Sequence, residues 1–154
     1  MIREATRDDI PAMLALGEAM HGESRYGRFP WNAGKVEKLL QVLVDSDDGL
    51  ALIAEQDGVP VGGFIGAACD HWCTDARTSS DFALFVRPDR RGGMLGLRLL
   101  RRYAAWARSR GVADDLICTG ITTGIDVAAS TRLFELAGFT TAGPLFVFGG
   151  DAHV

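Results

Sequence analysis

The chain has 154 residues, 16 basic against 20 acidic side chains for a formal net charge of −4, and a hydrophobic fraction of 47%. These values fit one ordinary soluble domain, residues 1–154, with its own core, and they exclude a second domain and wholesale disorder. The mild acidity also argues against a general nucleic-acid binder, which needs a basic surplus to displace counterions from phosphate.

In chain order, residues 2–5 read as a short strand. Thr6-x-x-Asp9 resembles a capping box with Asp in the place of Glu, and Ile10, Met13, Leu14, Gly17 and Met20 follow at helical spacing to an end near 21–22. Residues 23–31 mix charge, glycine, proline and aromatics as a loop. A second helix follows, capped by Asn32, with Val36, Leu39, Leu40, Leu43 and Val44 on one face. Two strand-like runs, 50–56 and 59–69, flank Asp57-Gly58, a dipeptide suited to a tight hairpin turn. A strand over 81–86 stops at Pro88, and a helix over about 94–111 follows. A strand over 115–121, a helix over 127–137 and strands over 139–141 and 145–148 complete the pattern. Hairpins mixed with crossovers imply an α/β fold whose sheet is partly antiparallel and partly parallel.

Three cysteines, Cys69, Cys73 and Cys118, are too few for a disulfide framework and fit a reducing cytoplasm. The start of the chain shows no apolar signal-peptide core, and no run approaches the roughly 18 apolar residues of a membrane span. Neither export nor membrane insertion is expected. Cys69-Asp70-His71-Trp72-Cys73 lacks a second ligand pair, with His21 and His153 the only other histidines, so no metal is expected.

The charge is unevenly placed: 14 of the 16 basic residues are Arg, and eight lie between Arg87 and Arg110. Within that stretch a strand passes through Arg90-Arg91-Gly92-Gly93 into a helix, where unpaired amides, the helix dipole and the two guanidinium groups suit a phosphate or pyrophosphate. A plain glycine-containing turn is the alternative. No Lys follows Lys38, which excludes a Walker A loop, and Gly92-Gly93-x-x-Gly96 has neither the spacing nor the early position of a dinucleotide fingerprint.

Arg91-Gly92-Gly93-Met94-Leu95-Gly96 resembles the central motif of the GNAT family of N-acetyltransferases: Arg or Gln, x, x, Gly, x, Gly or Ala. It matches at Arg91 and Gly96 and departs at Met94, where the family has its inner glycine. Leu133-Phe134-Glu135-Leu136-Ala137-Gly138-Phe139 is similar to the family's Leu-Tyr-x-x-x-Gly-Phe, with Phe134 in place of Tyr. The resemblance covers essentially the whole chain and implies a mixed sheet of about seven strands, its central strands splayed, flanked by about four helices.

It further implies acetyl-coenzyme A as acyl donor, with its pyrophosphate at Arg90, Arg91, Gly92, Gly93, Met94, Leu95 and Gly96 and its pantetheine arm along Phe85, Val86 and Arg87. The implied reaction is direct transfer of acetyl to a primary amine. Asp81 is the first candidate base and Glu23 the second, while Phe134 carries no proton to give. The implied acceptor pocket comprises Glu23, Tyr26, Phe29, Trp31 and Thr119, with Glu23 attracting a cationic amine; Phe29 and Trp31 capping the core is the alternative. Asp126 reads as a helix cap. The acceptor is a small-molecule or protein amine, tight nucleic-acid binding and membranes are not expected, and a homodimer is left open. A non-catalytic acyl-coenzyme A sensor is the rival reading, and Gly96 is expected to accept a side chain without loss of the fold.

Overall fold

The computed structural model describes residues 1–148, so 149–154, His153 included, lie outside the described residues. The elements run β1 (Ile2–Glu4), α1 (Ile10–Glu23), α2 (Ala33–Asp45), β2 (Gly49–Gln56), β3 (Val59–Asp70), β4 (Arg77–Val86), α3 (Leu95–Ser109) and α4 (Val127–Ala137). Among the described residues, no helix is long and apolar enough to cross a membrane.

Alternation along β2 sets the layers. Leu50, Leu52 and Ala54 face a core built with Val61, Phe64 and the buried side of α3, from Leu95 through Leu99, Leu100, Tyr103, Trp106 and Ala107. Ala51 and Ile53 face the opposite way, onto Ile10 and Met13 of α1 and Leu40 of α2. Successive side chains on a strand point to opposite faces, so one apolar strand serves both cores. The Asp9 carboxylate accepts from the Thr6 amide at 2.8 Å and is gripped by Arg3 at 2.7 and 2.8 Å. That grip fixes the entry to α1 and holds the Asp9 carboxyl well below the usual range.

The sheet has the order β1-β2-β3-β4, with every ladder antiparallel. Asp57 and Gly58, both at positive φ, close the β2–β3 hairpin as their sequence demands. The described residues thus hold four strands instead of about seven, and the expected parallel half reduces to one bridge between Ser79 and Ile117. Asp114–Leu116 forms a single 3-10 turn, and the segment touches β4 through Cys118 N to Ser79 O at 2.9 Å. Beyond that point, a bulge interrupts β4: Ile65 faces Ala83 while Gly66 faces Asp81, leaving Phe82 unpaired. Bulges bend a strand and increase its twist, and here the bend turns the β4 edge away from residues 119–125. Residues 139–141 and 145–148 form no strand either, and Phe146 and Phe148 stand exposed. Strand propensity without a partner edge does not make a ladder.

Tyr103 secures the point of parting. It is fully buried, stacks on Phe64 at 4.5 Å, donates its hydroxyl to Cys118 O at 2.7 Å and pairs with the buried Ser79 hydroxyl at 3.0 Å. Burial pushes its pKa up to about 12, so it stays protonated and donating. Tyr103→Phe should cost about 1–3 kcal/mol, the penalty of stranding buried polar partners, read from urea unfolding. A variant as stable as the parent would show that the network contributes nothing.

Candidate active site

The site begins with the register of β4. Arg87 donates its amide to Val61 O at 2.9 Å, and Phe85 lies opposite Gly63. Bonded pairs alternate in an antiparallel ladder, so the backbone groups of Leu84 and Val86 turn away from β3. They face a cleft of about 550 Å³, bounded by the β4 end, the Arg90–Gly93 turn, residues 123–126 and the near face of α4.

At the mouth of this cleft α3 starts without a side-chain cap, its N-cap being Met94. Among the described residues, the amides of Leu95, Gly96 and Leu97 make no backbone hydrogen bond, leaving three donors at the positive end of the helix dipole. Gly92 sits at φ +82°, and open space surrounds a Cβ built at Gly92 or Gly93. An anion can therefore approach this backbone closely. The Met94 side chain is largely exposed. Gly96 behaves otherwise than expected: a Cβ there would lie 2.9 Å from Leu133 Cδ2, so this glycine lets α3 and α4 approach each other, and a side chain would disturb their packing.

The arginines divide. Arg91 folds back over the β4 end, with Nε donating to Val86 O at 2.8 Å, Nη1 2.9 Å from Glu23 and the guanidinium 5.5 Å from the Phe85 ring centre. Arg90 and Arg87 both approach Asp89, at 3.3 and 3.1 Å. On α3, Arg98, Arg101 and Arg102 are exposed, and Arg108 pairs with Asp114 at 2.6 Å.

Asp81 lies beside the bulge, its Oδ1 accepting from the Gly120 amide at 3.1 Å. Burial raises its pKa above the ordinary carboxylate value; the Thr119 hydroxyl and the Gly120 amide pull the other way without cancelling that effect. Thr119 Oγ1 is itself buried and makes no hydrogen bond of full geometry. Thr119 thus adjoins Asp81, both outside the cleft lining, whereas Glu23 is held by Arg91 instead of standing free for a cation.

The loop after α1 is tied to the far wall by Arg25 N to Thr123 O at 2.9 Å. Ser24 caps its 3-10 turn by accepting from Tyr26 N at 3.2 Å, and the Tyr26 hydroxyl accepts from Arg25 at 3.0 Å. Trp31 packs against Gly17 of α1, where a Cβ would sit 3.2 Å from its ring, and lies 5.4 Å from the His21 ring. Phe29 is 54% exposed beneath Arg28. Neither aromatic belongs to a core cluster. Phe134 packs on the α3 core with Phe139, outside the cleft lining, and Asp126 caps α4 by accepting from Ala129 N at 3.1 Å. Sequence reading places Thr123 beside the cleft, where it lies, but missed Leu84 and the cleft face of α4, namely Ala129, Ser130 and Leu133. Their signal was the helical spacing of 129, 130 and 133, which reads as an ordinary core stripe.

A model of the acetyltransferase (GNAT) family matches residues 16–139. The chain belongs to that family. A curated relative, the "IAA acetyltransferase" of Azospirillum brasilense, is 35% identical over 101 residues; the match covers 65% of this chain and 60% of that protein. The chain thus spans less than two thirds of that relative's length. Among solved structures, an aminoglycoside 6′-N-acetyltransferase of Acinetobacter haemolyticus is similar at TM-score 0.75 and 14% identity, over 98% of both chains. A ribosomal-protein-alanine N-acetyltransferase of Brucella melitensis gives TM-score 0.69 and 19% identity, over 96% of this chain and 98% of that one. At these identities the likeness shows the shared GNAT fold.

The raised pKa of Asp81 has a consequence for stability. Folding favours its protonated form, so this contribution is fully present below the unfolded value of about 3.9 and is lost as pH rises through the folded value. Urea midpoints of Asp81→Asn should therefore gain on those of the parent as pH rises above about 4. Parallel curves for the two proteins would rule out a carboxyl destabilised by burial.

Proposed function

We propose that the chain is an N-acetyltransferase that moves an acetyl group from acetyl-coenzyme A to a primary amine. The observation that carries this reading is one cleft with two complementary edges: the outward backbone of Leu84 and the Val86 amide, and the uncapped start of α3. An extended pantetheine arm carries amides that match the first, and a pyrophosphate matches the second, with Gly92 and Gly93 leaving room and Arg90 and Arg91 supplying charge. The structural likeness to an aminoglycoside N-acetyltransferase solved in complex with CoA, at TM-score 0.78 and 14% identity over 97% of this chain and 93% of that one, supports coenzyme A as the carrier of the acetyl group.

Bound acetyl-coenzyme A supplies a thioester carbon open to attack by an amine. Asp81, with its raised pKa, takes the proton of the acceptor ammonium. The nitrogen–carbon bond forms as the carbon–sulfur bond breaks, and the electron pair leaves on sulfur. Phe134 has no proton to give, and Tyr103 is buried and spent on Cys118 O. Water therefore relays to the departing thiolate the second proton that the attacking nitrogen sheds as it becomes an amide, and the low basicity of the thiolate makes no further demand. A desolvated Asp81, bonded to the Gly120 amide on the segment that leads to the cleft-lining Thr123, favours an enzyme over a non-catalytic sensor. The free, exposed cysteines Cys69, Cys73 and Cys118 suit a reducing cytoplasm.

Release of free thiol from acetyl-coenzyme A across a panel of amines tests the reaction. Turnover is expected, with kcat falling about 10²–10⁴-fold in Asp81→Asn and the acidic limb of the pH–rate profile lying above the ordinary carboxylate range. Binding without turnover on any amine would favour the sensor. Gly93→Asp, placed in open space, should keep the fold and weaken coenzyme A binding at least about 10-fold through repulsion of phosphate; unchanged affinity in calorimetry would remove the pyrophosphate from this turn.

A further inference from the structure

The charge around the acceptor side of the cleft is the reverse of what an ammonium-attracting loop requires. Glu23, the single carboxylate between 23 and 31, is neutralised by Arg91 at 2.9 Å. Arg25 and Arg28 on the same loop have no carboxylate within salt-bridge distance among the described residues. The loop, tied through the Arg25 amide to the cleft-lining Thr123, therefore carries positive charge that no carboxylate offsets among the described residues. A polycationic acceptor would meet repulsion there, and an anion would be attracted.

The Arg25 guanidinium is also well placed. It lies 4.9 Å from the centre of the Tyr26 ring and donates to the Tyr26 hydroxyl at 3.0 Å. The Arg25 backbone is pinned to Thr123, whose side of the segment lines the cleft. The Thr122 hydroxyl faces the Tyr26 hydroxyl, and together with Arg25 it lowers the phenol pKa and sharpens it as a donor. Asp81 meets the same segment at Thr119 and Gly120. The two contacts, at Gly120 N and Thr123 O, span four residues, so these anchor atoms lie at most about 14 Å apart.

Resting on the transferase reading, we infer that the acceptor is a small amine that also carries a carboxylate, bound by Arg25 and the Tyr26 hydroxyl while its amine faces Asp81. An amino acid of short or moderate reach satisfies both ends. An aminoglycoside, an acceptor named for several proteins of similar fold, offers the amine but no carboxylate for Arg25.

The test is thiol release from acetyl-coenzyme A with matched pairs: glycine, β-alanine and γ-aminobutyrate against their carboxamides, with aminomethylphosphonate and a polycationic aminoglycoside alongside. The acids should exceed their amides at least about 10-fold in kcat/KM. Arg25→Gln should raise KM for the acids about 10–100-fold, more than it changes kcat, and bring the acid-to-amide ratio near one; Arg25→Lys should restore part of it. The main-chain bond to Thr123 survives either substitution, and a thermal melt verifies the fold. Amides used as well as acids, a preference for the aminoglycoside, or a ratio unchanged in Arg25→Gln would each overturn the carboxylate site while leaving the transferase reading in place. Preference for the phosphonate would overturn the carboxylate in favour of a phosphate. No thiol release with any amine would overturn both readings.

Discussion

At Ser79 the Tyr103 hydroxyl joins β4 to the chain that enters at Ile117, and past that junction the two part. Tyr103 can hold the junction because it is buried: its protonated hydroxyl has no water to compete for it, and its ring is clamped on Phe64. Past the bulge at Phe82 the strand edge stands open, so the Leu84 backbone and the Val86 amide are unpaired among the described residues, while Arg91 takes the Val86 carbonyl. An open edge is a liability for most proteins. Here it lies inside a cleft covered by α4, which protects it from other chains and reserves it for a ligand.

The electrostatics follow from the same geometry. Arg91 stands between two roles, since its Nε occupies the Val86 carbonyl that a pantetheine arm would use and its Nη1 holds Glu23. A ligand in the cleft and Glu23 thus compete for one guanidinium. Asp81 is treated in the opposite manner: no cation pairs with it, burial disfavours its charge, and it is left poised to hold a proton. Two carboxylates at one site acquire different properties because one has a partner and the other has been desolvated.

Much of this was legible in the residues. The two-residue turn at Asp57-Gly58, the apolar faces of α2 and α3, the Asn32 and Asp126 caps and the glycine turn before α3 all rest on local rules, and all lie where those rules put them. The strands expected over 115–121, 139–141 and 145–148 did not form, because a strand is completed by its neighbour and the neighbouring edge had turned away. The room for a side chain expected at Gly96 and the free charge expected at Glu23 are missing for a related reason. The motif marks Gly96 for ligand approach, while its close contact is Leu133 on another helix; Glu23 reads as a free anion until Arg91, 68 positions on, is folded against it.

By itself the sequence determined the family, the order of the helices and the hairpin, and the place where an anion can meet a helix start, since each depends on residues a few positions apart. Tertiary structure alone decided where the sheet opens, which backbone groups face the cleft, and which charges remain unpaired around it. Those are properties of neighbours brought together by folding: a register, a bulge and an ion pair exist only between segments that the chain holds far apart.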